Sequence, residues 1–269
     1  MNQYKINGIN VIEHGERKNQ SVIFVHAFPL SSKMWEPQID AMKDIYHLIV
    51  YDNRGFGESG ENTDSLTIDS HVDDLFSIID ELKINKPVLC GLSMGGYILL
   101  RALEREQKRF KAVILCDTRS LADDNSGKIK RAEQIKQIKH GGRKEFDEGF
   151  LANTLSLKTL NGNDEKQKII KFIKEIMSRQ KDEAVTGALL TMAARTDTTE
   201  FLENLSIPTL VVVGEDDKLT PASPSRLMNA KIRNSALKII PDAGHFPNLE
   251  NTKTYNEIII NFLNSINKI

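Results

Sequence analysis

The segment GLSMGGY, residues 91 to 97, sets Ser93 in a Gly-x-Ser-x-Gly frame at the end of an apolar run. A serine so framed is either a nucleophile held on a tight strand-to-helix turn or a small residue in a glycine-rich bend. A free hydroxyl is a weak nucleophile, so the first reading demands a base and an orienting acid from elsewhere in the chain. Of six histidines, His14, His47, His71 and His140 fall in a hairpin, at a strand start, mid-helix and at a helix end, where packing or solvation accounts for them. His26, in HAFP, ends a strand and is expected to support that turn. His245, in IIPDAGHFPNLE, lies just past the last apolar run and before the final helix, where a base can reach across a sheet edge. For the acid, VVVGEDDKLTP offers Glu215, Asp216 and Asp217; a carboxylate there can accept the imidazole N–H and stabilise the imidazolium, while a solvated acidic turn is the plainer alternative. Together these are the parts of an attack on a carbonyl carbon with a histidine carrying the proton.

The elements that must position these groups are legible from periodicity. YKINGINVIEH carries Asn7-Gly8 between two short runs, the mark of a hairpin. SVIFVHAF (21–28), HLIVYD (47–52), PVLCG (87–91), KAVILCD (111–117), TLVVVGED (209–216) and ALKIIPDAG (236–244) are continuous apolar runs, as strands buried on both faces require. Between them, residues 67–83 put Ile68, Val72, Leu75, Ile78, Ile79 and Leu82 on one helical stripe, with Thr67 as N-cap. Strand and helix in alternation predict a mostly parallel sheet wrapped on both sides.

That rhythm breaks between residues 119 and 204, where SGKIKRAEQIKQIKHGG, RKEFDEGFLANTLS, DEKQKIIKFIKEIMSRQ and KDEAVTGALLTMAART read as successive helices. A parallel sheet opens its ligand crevice at the carboxyl ends of its strands, and this insertion leaves from that end after Asp117, placed to roof the crevice. Within it, Ile169, Ile170, Ile173, Ile176 and Met177 oppose Lys166, Lys168, Lys171 and Lys174. Packing of that apolar face inside the insertion is preferred over a membrane-surface helix.

Composition excludes several classes. With a formal charge of -1 the chain carries no electrostatic footprint for nucleic acid or an anionic surface. It opens without a signal-peptide pattern and nowhere runs to roughly 18 apolar residues, so a soluble, cytoplasmic protein is expected. Cys90 and Cys116, its two cysteines, end strand-like runs and read as buried hydrophobes in a reduced compartment. GFGESG (55–60) matches a dinucleotide-binding turn, but ENTDS follows where a helix N-terminus should receive the pyrophosphate, and Asp80 lies inside a helix.

HAFP (26–29), DNRGFGES (52–59), GLSMGG (91–96), GEDDKLTP (214–221) and GH (244–245), taken jointly, resemble the motif series of the α/β-hydrolase fold over essentially the full length. The resemblance implies an α/β fold class, a mostly parallel sheet flanked by helices, with residues 1–118 and 205–269 as core and 119–204 as a helical cap. It implies Ser93, Asp217 and His245 as catalytic residues, with Asp216 in reserve, and the backbone N–H groups of Phe28 and Met94 as an oxyanion hole. No cofactor and no metal are implied. Ala27 stands where the family often has glycine, a change that removes no N–H.

HAFPLSSKMWEPQ, DTRSLADD and the run ending AARTDTTEFLENLSIPTLVVVGEDD are further similar to 3-oxoadipate enol-lactonases and small carboxylesterases, with cofactor-free haloperoxidases and perhydrolases also related. Serine at position 93 argues against a haloalkane dehalogenase, which would require aspartate there. The implied activity is hydrolysis of a small-molecule ester or lactone through an acyl-enzyme. The alternatives are a perhydrolase, a carbon-carbon bond hydrolase, and a slow-turnover ligand receptor on the same scaffold. Trp35 and Arg119 are candidate substrate contacts, together with Met34 and Arg54; Arg119 either holds a substrate carboxylate or pairs with an acid of the cap. No nucleic acid or membrane partner is expected, and the oligomeric state is open between monomer and homodimer.

Overall fold

The computed structural model describes residues 1–60 and 67–266; the run ENTDS, residues 61–65, lies outside them. The chain opens with the expected hairpin. Strands β1 (Asn2–Ile6) and β2 (Ile9–His14) pair antiparallel around Asn7 and Gly8, whose positive φ values of 50° and 84° match the twist of the flanking strands. Six more strands follow: β3 (Ser21–Val25), β4 (His47–Tyr51), β5 (Val88–Leu92), β6 (Ala112–Cys116), β7 (Thr209–Gly214) and β8 (Ser235–Ile240). They build one sheet in the order β1-β2-β4-β3-β5-β6-β7-β8, parallel from β4 to β8. Several strands stop before their apolar runs do, because the carboxyl ends leave the ladder to form loops. β3 ends at Val25, so His26 to Pro29 lie beyond it.

Burial on both faces explains the continuous apolar runs. Successive side chains point to opposite faces, so Val22 and Phe24 join one core with Trp35, Met42, Tyr255, Ile259 and Leu263. Ile23 and Val25 join the other, with Val72, Leu75, Ile79, Leu99 and Leu103. The last strand departs from this pattern: β8 is half exposed, as an edge strand with a neighbour on one side only.

Helices α1 (Glu36–Met42) and α11 (Thr252–Ile266) pack together on one face, and α2 (Ile68–Glu81) and α3 (Met94–Glu106) on the other. Thr67 caps α2 as its type and place predict: its Oγ1 accepts from Ser70 N at 3.1 Å and Ser70 Oγ accepts from Thr67 N at 2.9 Å. Each Leu or Ile of the α2 stripe that leaves water contributes about 1.5–3 kcal/mol, which fixes which face turns inward.

Between β6 and β7 come only helices: α4 (Asn125–Lys139), α5 (Arg143–Thr154), the short α6 (Leu157–Leu160), α7 (Asp164–Ser178) and α8 (Asp182–Ala194). On α7, Ile173, Ile176 and Met177 are buried and Ile169 and Ile170 pack half-buried against the same core, so the apolar face is satisfied within the protein. Among the described residues no helix is long and apolar enough to cross a membrane. After β7 the chain continues through α9 (Ala222–Lys231), β8 and α10 (Pro247–Glu250) into α11.

Candidate active site

Ser93 sits between β5 and α3 with φ 55° and ψ -114°, a conformation that costs a non-glycine residue on the order of 1–3 kcal/mol. The surrounding contacts hold it there. Ser93 N donates to Cys116 O at 2.9 Å, and Thr118 Oγ1 donates to Ser93 O at 2.9 Å. The glycines are required by approach of backbone to backbone: a Cβ on Gly91 would lie 2.7 Å from Gly95 C, and one on Gly95 would lie 2.2 Å from Val25 O. The hydroxyl is thereby lifted above the sheet edge at the first turn of α3.

The acid and base arrive from the loops after β7 and β8, two and three strands along that edge. His245 Nδ1 donates to Asp217 Oδ2 at 2.8 Å, and the carboxylate, which can only accept, fixes the proton on Nδ1. Asp217 is further held by Thr220 Oγ1 at 2.6 Å on Oδ2, and by Leu219 N at 2.8 Å and Thr220 N at 3.0 Å on Oδ1. Burial pushes the Asp217 carboxyl up, but the neighbouring His245 and the hydrogen bonds from His245 and Thr220 outweigh it and hold the group below the ordinary carboxylate range. Glu215 and Asp216 are exposed, so of the three acids only Asp217 meets the imidazole. His245 Nε2, buried, makes no hydrogen bond to Ser93 Oγ or to any other described atom. A lone pair on an oriented imidazole is thus left available for a proton.

Two backbone donors lie at the same edge. Met94 opens α3, where the first N–H groups have no intrahelical acceptor, and Phe28 follows β3 in the loop that carries His26. Neither N–H donates to another described atom. His26 supports that loop as expected: its Nε2 accepts from Asn53 N at 2.9 Å and its Nδ1 lies 2.9 Å from Ala27 O. Burial holds its pKa below the ordinary histidine value, which suits a neutral ring donating at Nδ1. Four aromatic rings run from this loop to His245. Phe28 is 5.8 Å from Phe150 of α5, Phe150 is 6.3 Å from Phe246, and Phe146 lies 6.3 Å from Phe28. Phe246 is 5.3 Å from the His245 ring.

The expected substrate contacts are placed elsewhere. Trp35 is buried, its ring packed against Phe24 and Tyr255 in the core that lies on the α1 and α11 face of the sheet. Met34 is buried beside it and accepts from Ala27 N through Sδ at 3.2 Å. Arg54 is engaged by Asp74 through Nε at 2.7 Å and Nη2 at 2.8 Å. Arg119 takes the plainer of its two readings: it pairs with Asp123, a buried acid just ahead of α4 that also receives Arg131 and Arg195. Burial pushes the Asp123 carboxyl up, yet the Arg131 and Arg195 guanidinium groups bring it down to about 2. Cys90 and Cys116 are buried free thiols, both within reach of the Tyr255 hydroxyl, and burial pushes the Cys116 thiol well up, away from nucleophilic use.

One carboxyl at the site escaped sequence reasoning. Asp117, just past β6 with φ 44°, is fully buried; its Oδ1 accepts from Gly214 N at 2.8 Å and its Oδ2 accepts from no described donor. Burial and the adjacent Asp217 charge push its pKa well up. Asp117, Asp217 and His245 are the one set with metal-ligand spacing among the described residues, with side-chain atoms within 4.8 Å of one another. His245 Nδ1 is already committed to Asp217, which makes the set an acid-base pair with a second buried carboxyl beside it. The signal available in the sequence was an aspartate closing an otherwise apolar strand run.

Comparison with known proteins agrees with this fold. Residues 20–252 match a family model described as alpha/beta hydrolase fold. The chain is 28% identical to 3-oxoadipate enol-lactonase 1 of Acinetobacter baylyi, over 96% of this chain and 94% of that protein. It is 28% identical to a non-heme chloroperoxidase of Kitasatospora aureofaciens, over 88% of this chain and 89% of that one. Among solved structures, a thermophilic esterase from Thermogutta terrifontis with malate bound superposes with a TM-score of 0.92 at 31% identity, covering 99% of both chains.

Proposed function

The chain belongs to the α/β-hydrolase fold family, and on that premise we propose that it is a serine hydrolase of small carboxylic esters or lactones. The observation that carries this is the buried Asp217–His245 pair, 2.8 Å apart, with Nδ1 committed and Nε2 unpartnered, at the same sheet edge as the strained serine turn. Ser93 Oγ attacks the carbonyl carbon as its proton passes to His245 Nε2, and Asp217 stabilises the imidazolium that forms. The N–H groups of Phe28 and Met94 receive the oxyanion, each worth about 3 kcal/mol of barrier. Collapse expels the alkoxide, which takes the proton from Nε2. Water, deprotonated by the same nitrogen, then attacks the acyl-enzyme and releases the acid and Ser93 Oγ–H. The helical segment 119–204 serves as the cap over this centre, and Phe146 and Phe150 of α5 supply an apolar wall for the acyl group.

The enol-lactonase and esterase relatives support esters and lactones as the substrate class. With Arg119 engaged by Asp123, neutral substrates suit the site better than anionic ones. Ser93→Ala is expected to abolish p-nitrophenyl acetate turnover and labelling by a fluorophosphonate probe; labelling that persists at another residue overturns the assignment. The chloroperoxidase relative supports a second reading, in which hydrogen peroxide replaces water at the acyl-enzyme and releases a peracid. Peracetic acid formed from acetate and peroxide by the wild type, and lost in Ser93→Ala, distinguishes it.

A further inference from the structure

Glu250, the last residue of α10, is buried and takes no part in the steps above. Its Oε1 accepts from Gly244 N at 2.9 Å and from Phe246 N at 3.3 Å, the residues on either side of His245. Its Oε2 accepts from Ser156 N at 2.8 Å, in the turn between α5 and α6. The same turn meets His245 directly, since His245 N donates to Thr154 O at 2.7 Å. Gly244 permits the contact: a Cβ there would lie 2.3 Å from Thr154 O and 2.7 Å from Ser156 N. One carboxylate therefore spans the seam between the histidine loop and the helical insertion. Removing it would leave three backbone N–H groups buried without acceptors.

We propose that Glu250 is a positioning residue: it fixes the peptide planes 243–244 and 245–246 around His245 while the 244–245 plane is held on Thr154 O, and so sets the direction of Nε2 and makes it depend on the turn 154–156. The imidazole has two torsions of its own. Asp217 constrains the ring at Nδ1, and the backbone from which those torsions start is set by Glu250. A shift of the turn is then transmitted to the base through a bond network a few residues across, which couples the placement of the insertion to proton transfer. This rests on His245 acting as the base.

The experiment compares wild type, Glu250→Ala, Glu250→Gln and Lys158→Ala as full chains. Lys158→Ala is the control, since it deletes only the exposed Lys158–Asp242 ion pair near the same seam. The expected result for Glu250→Ala is a kcat about 10- to 100-fold lower with KM within about 3-fold, and fluorophosphonate labelling of Ser93 slowed to the same degree, as a small displacement of a base produces. Glu250→Gln keeps one amide oxygen for the Gly244 and Phe246 donors but turns an NH2 toward Ser156 N, so it should fall between the two. Lys158→Ala should match wild type. If Glu250→Ala melts earlier yet keeps wild-type kcat per folded molecule, the carboxylate is only structural and the proposal fails. Should Glu250→Ala not fold, a wild-type kcat in folded Glu250→Gln overturns it equally. Failure of the underlying reading would show differently, as wild-type turnover that survives Ser93→Ala.

Discussion

His245 Nδ1 lies 2.8 Å from Asp217 Oδ2 with both side chains sealed from solvent, while Asp216, the preceding residue, points into water. A turn carrying three consecutive acids thus offers only one of them to the imidazole. In a site this dry the pair is strong, and its loss is correspondingly costly.

Asp217→Asn should lower kcat on a neutral p-nitrophenyl ester by about 10³- to 10⁴-fold, because the amide neither fixes the ring tautomer nor stabilises imidazolium. Asp216→Asn should stay within about 2-fold of wild type, as expected for an exposed surface acid. Steady-state kinetics on the two variants decides between them. A crippled Asp216→Asn beside an active Asp217→Asn would reassign the acid.

Asp117 predicts the opposite sign for a neighbouring carboxyl. Its pKa is raised in the folded chain above the ordinary carboxylate value of 3.8, so its contribution to stability is whole below 3.8 and is lost as pH rises through the folded value. Asp117→Asn cannot ionise, and its amide oxygen can still accept from Gly214 N. Its melting temperature should exceed that of wild type by a few degrees at pH 7 and the difference should vanish near pH 4. Activity should remain within about 3-fold of wild type. A large loss of kcat would mean that Asp117 works as a carboxylate.

Acid sensitivity should come largely from His71. Burial, with Arg54 and His26 adding to it, pushes its pKa from 6.5 down to about 3, and neither ring nitrogen has a hydrogen-bond partner. Below 6.5 the unfolded chain takes up a proton that the folded chain refuses, so stability is whole above 6.5 and drains as pH falls toward about 3. The full loss is on the order of 5 kcal/mol. Urea unfolding at pH 7, 5 and 4 should show a shallower decline for His71→Leu than for wild type; parallel declines would place the sensitivity elsewhere.

Two glycines should respond in opposite directions. Gly149 lies inside α5 with nothing within 4 Å of a built Cβ, so Gly149→Ala should stabilise the protein by about 1 kcal/mol through helix propensity. Gly95→Ala would drive a methyl to 2.2 Å from Val25 O, a backbone atom that cannot turn aside. Thermal melts should show the first gain, and the second variant should lose either soluble expression or Ser93 labelling.

What the sequence alone determined about this protein is what depends on neighbours along the chain. The α2 stripe and the Thr67 cap are set by 3.6-residue spacing and one side chain reaching three residues on. Apolar runs mark the central strands because both faces are buried, and Ser93, Asp217 and His245 are legible because each follows a strand by a short, typed loop. The tertiary structure decided which partner each charge and each large side chain meets. Trp35, a candidate substrate contact in sequence, lies sealed against Tyr255, which is 220 residues away in the chain; Arg119, open in sequence between a substrate carboxylate and an acid of the cap, is held on a carboxylate shared with Arg131 and Arg195. Glu250, which no motif singled out, takes donors from both sides of His245 and from a turn nearly a hundred residues earlier. Burial and pairing are properties of distances through space, and for buried charges those distances control pKa and hydrogen bonding. Spacing along the chain therefore names the groups proposed to react, and long-range packing sets their surroundings.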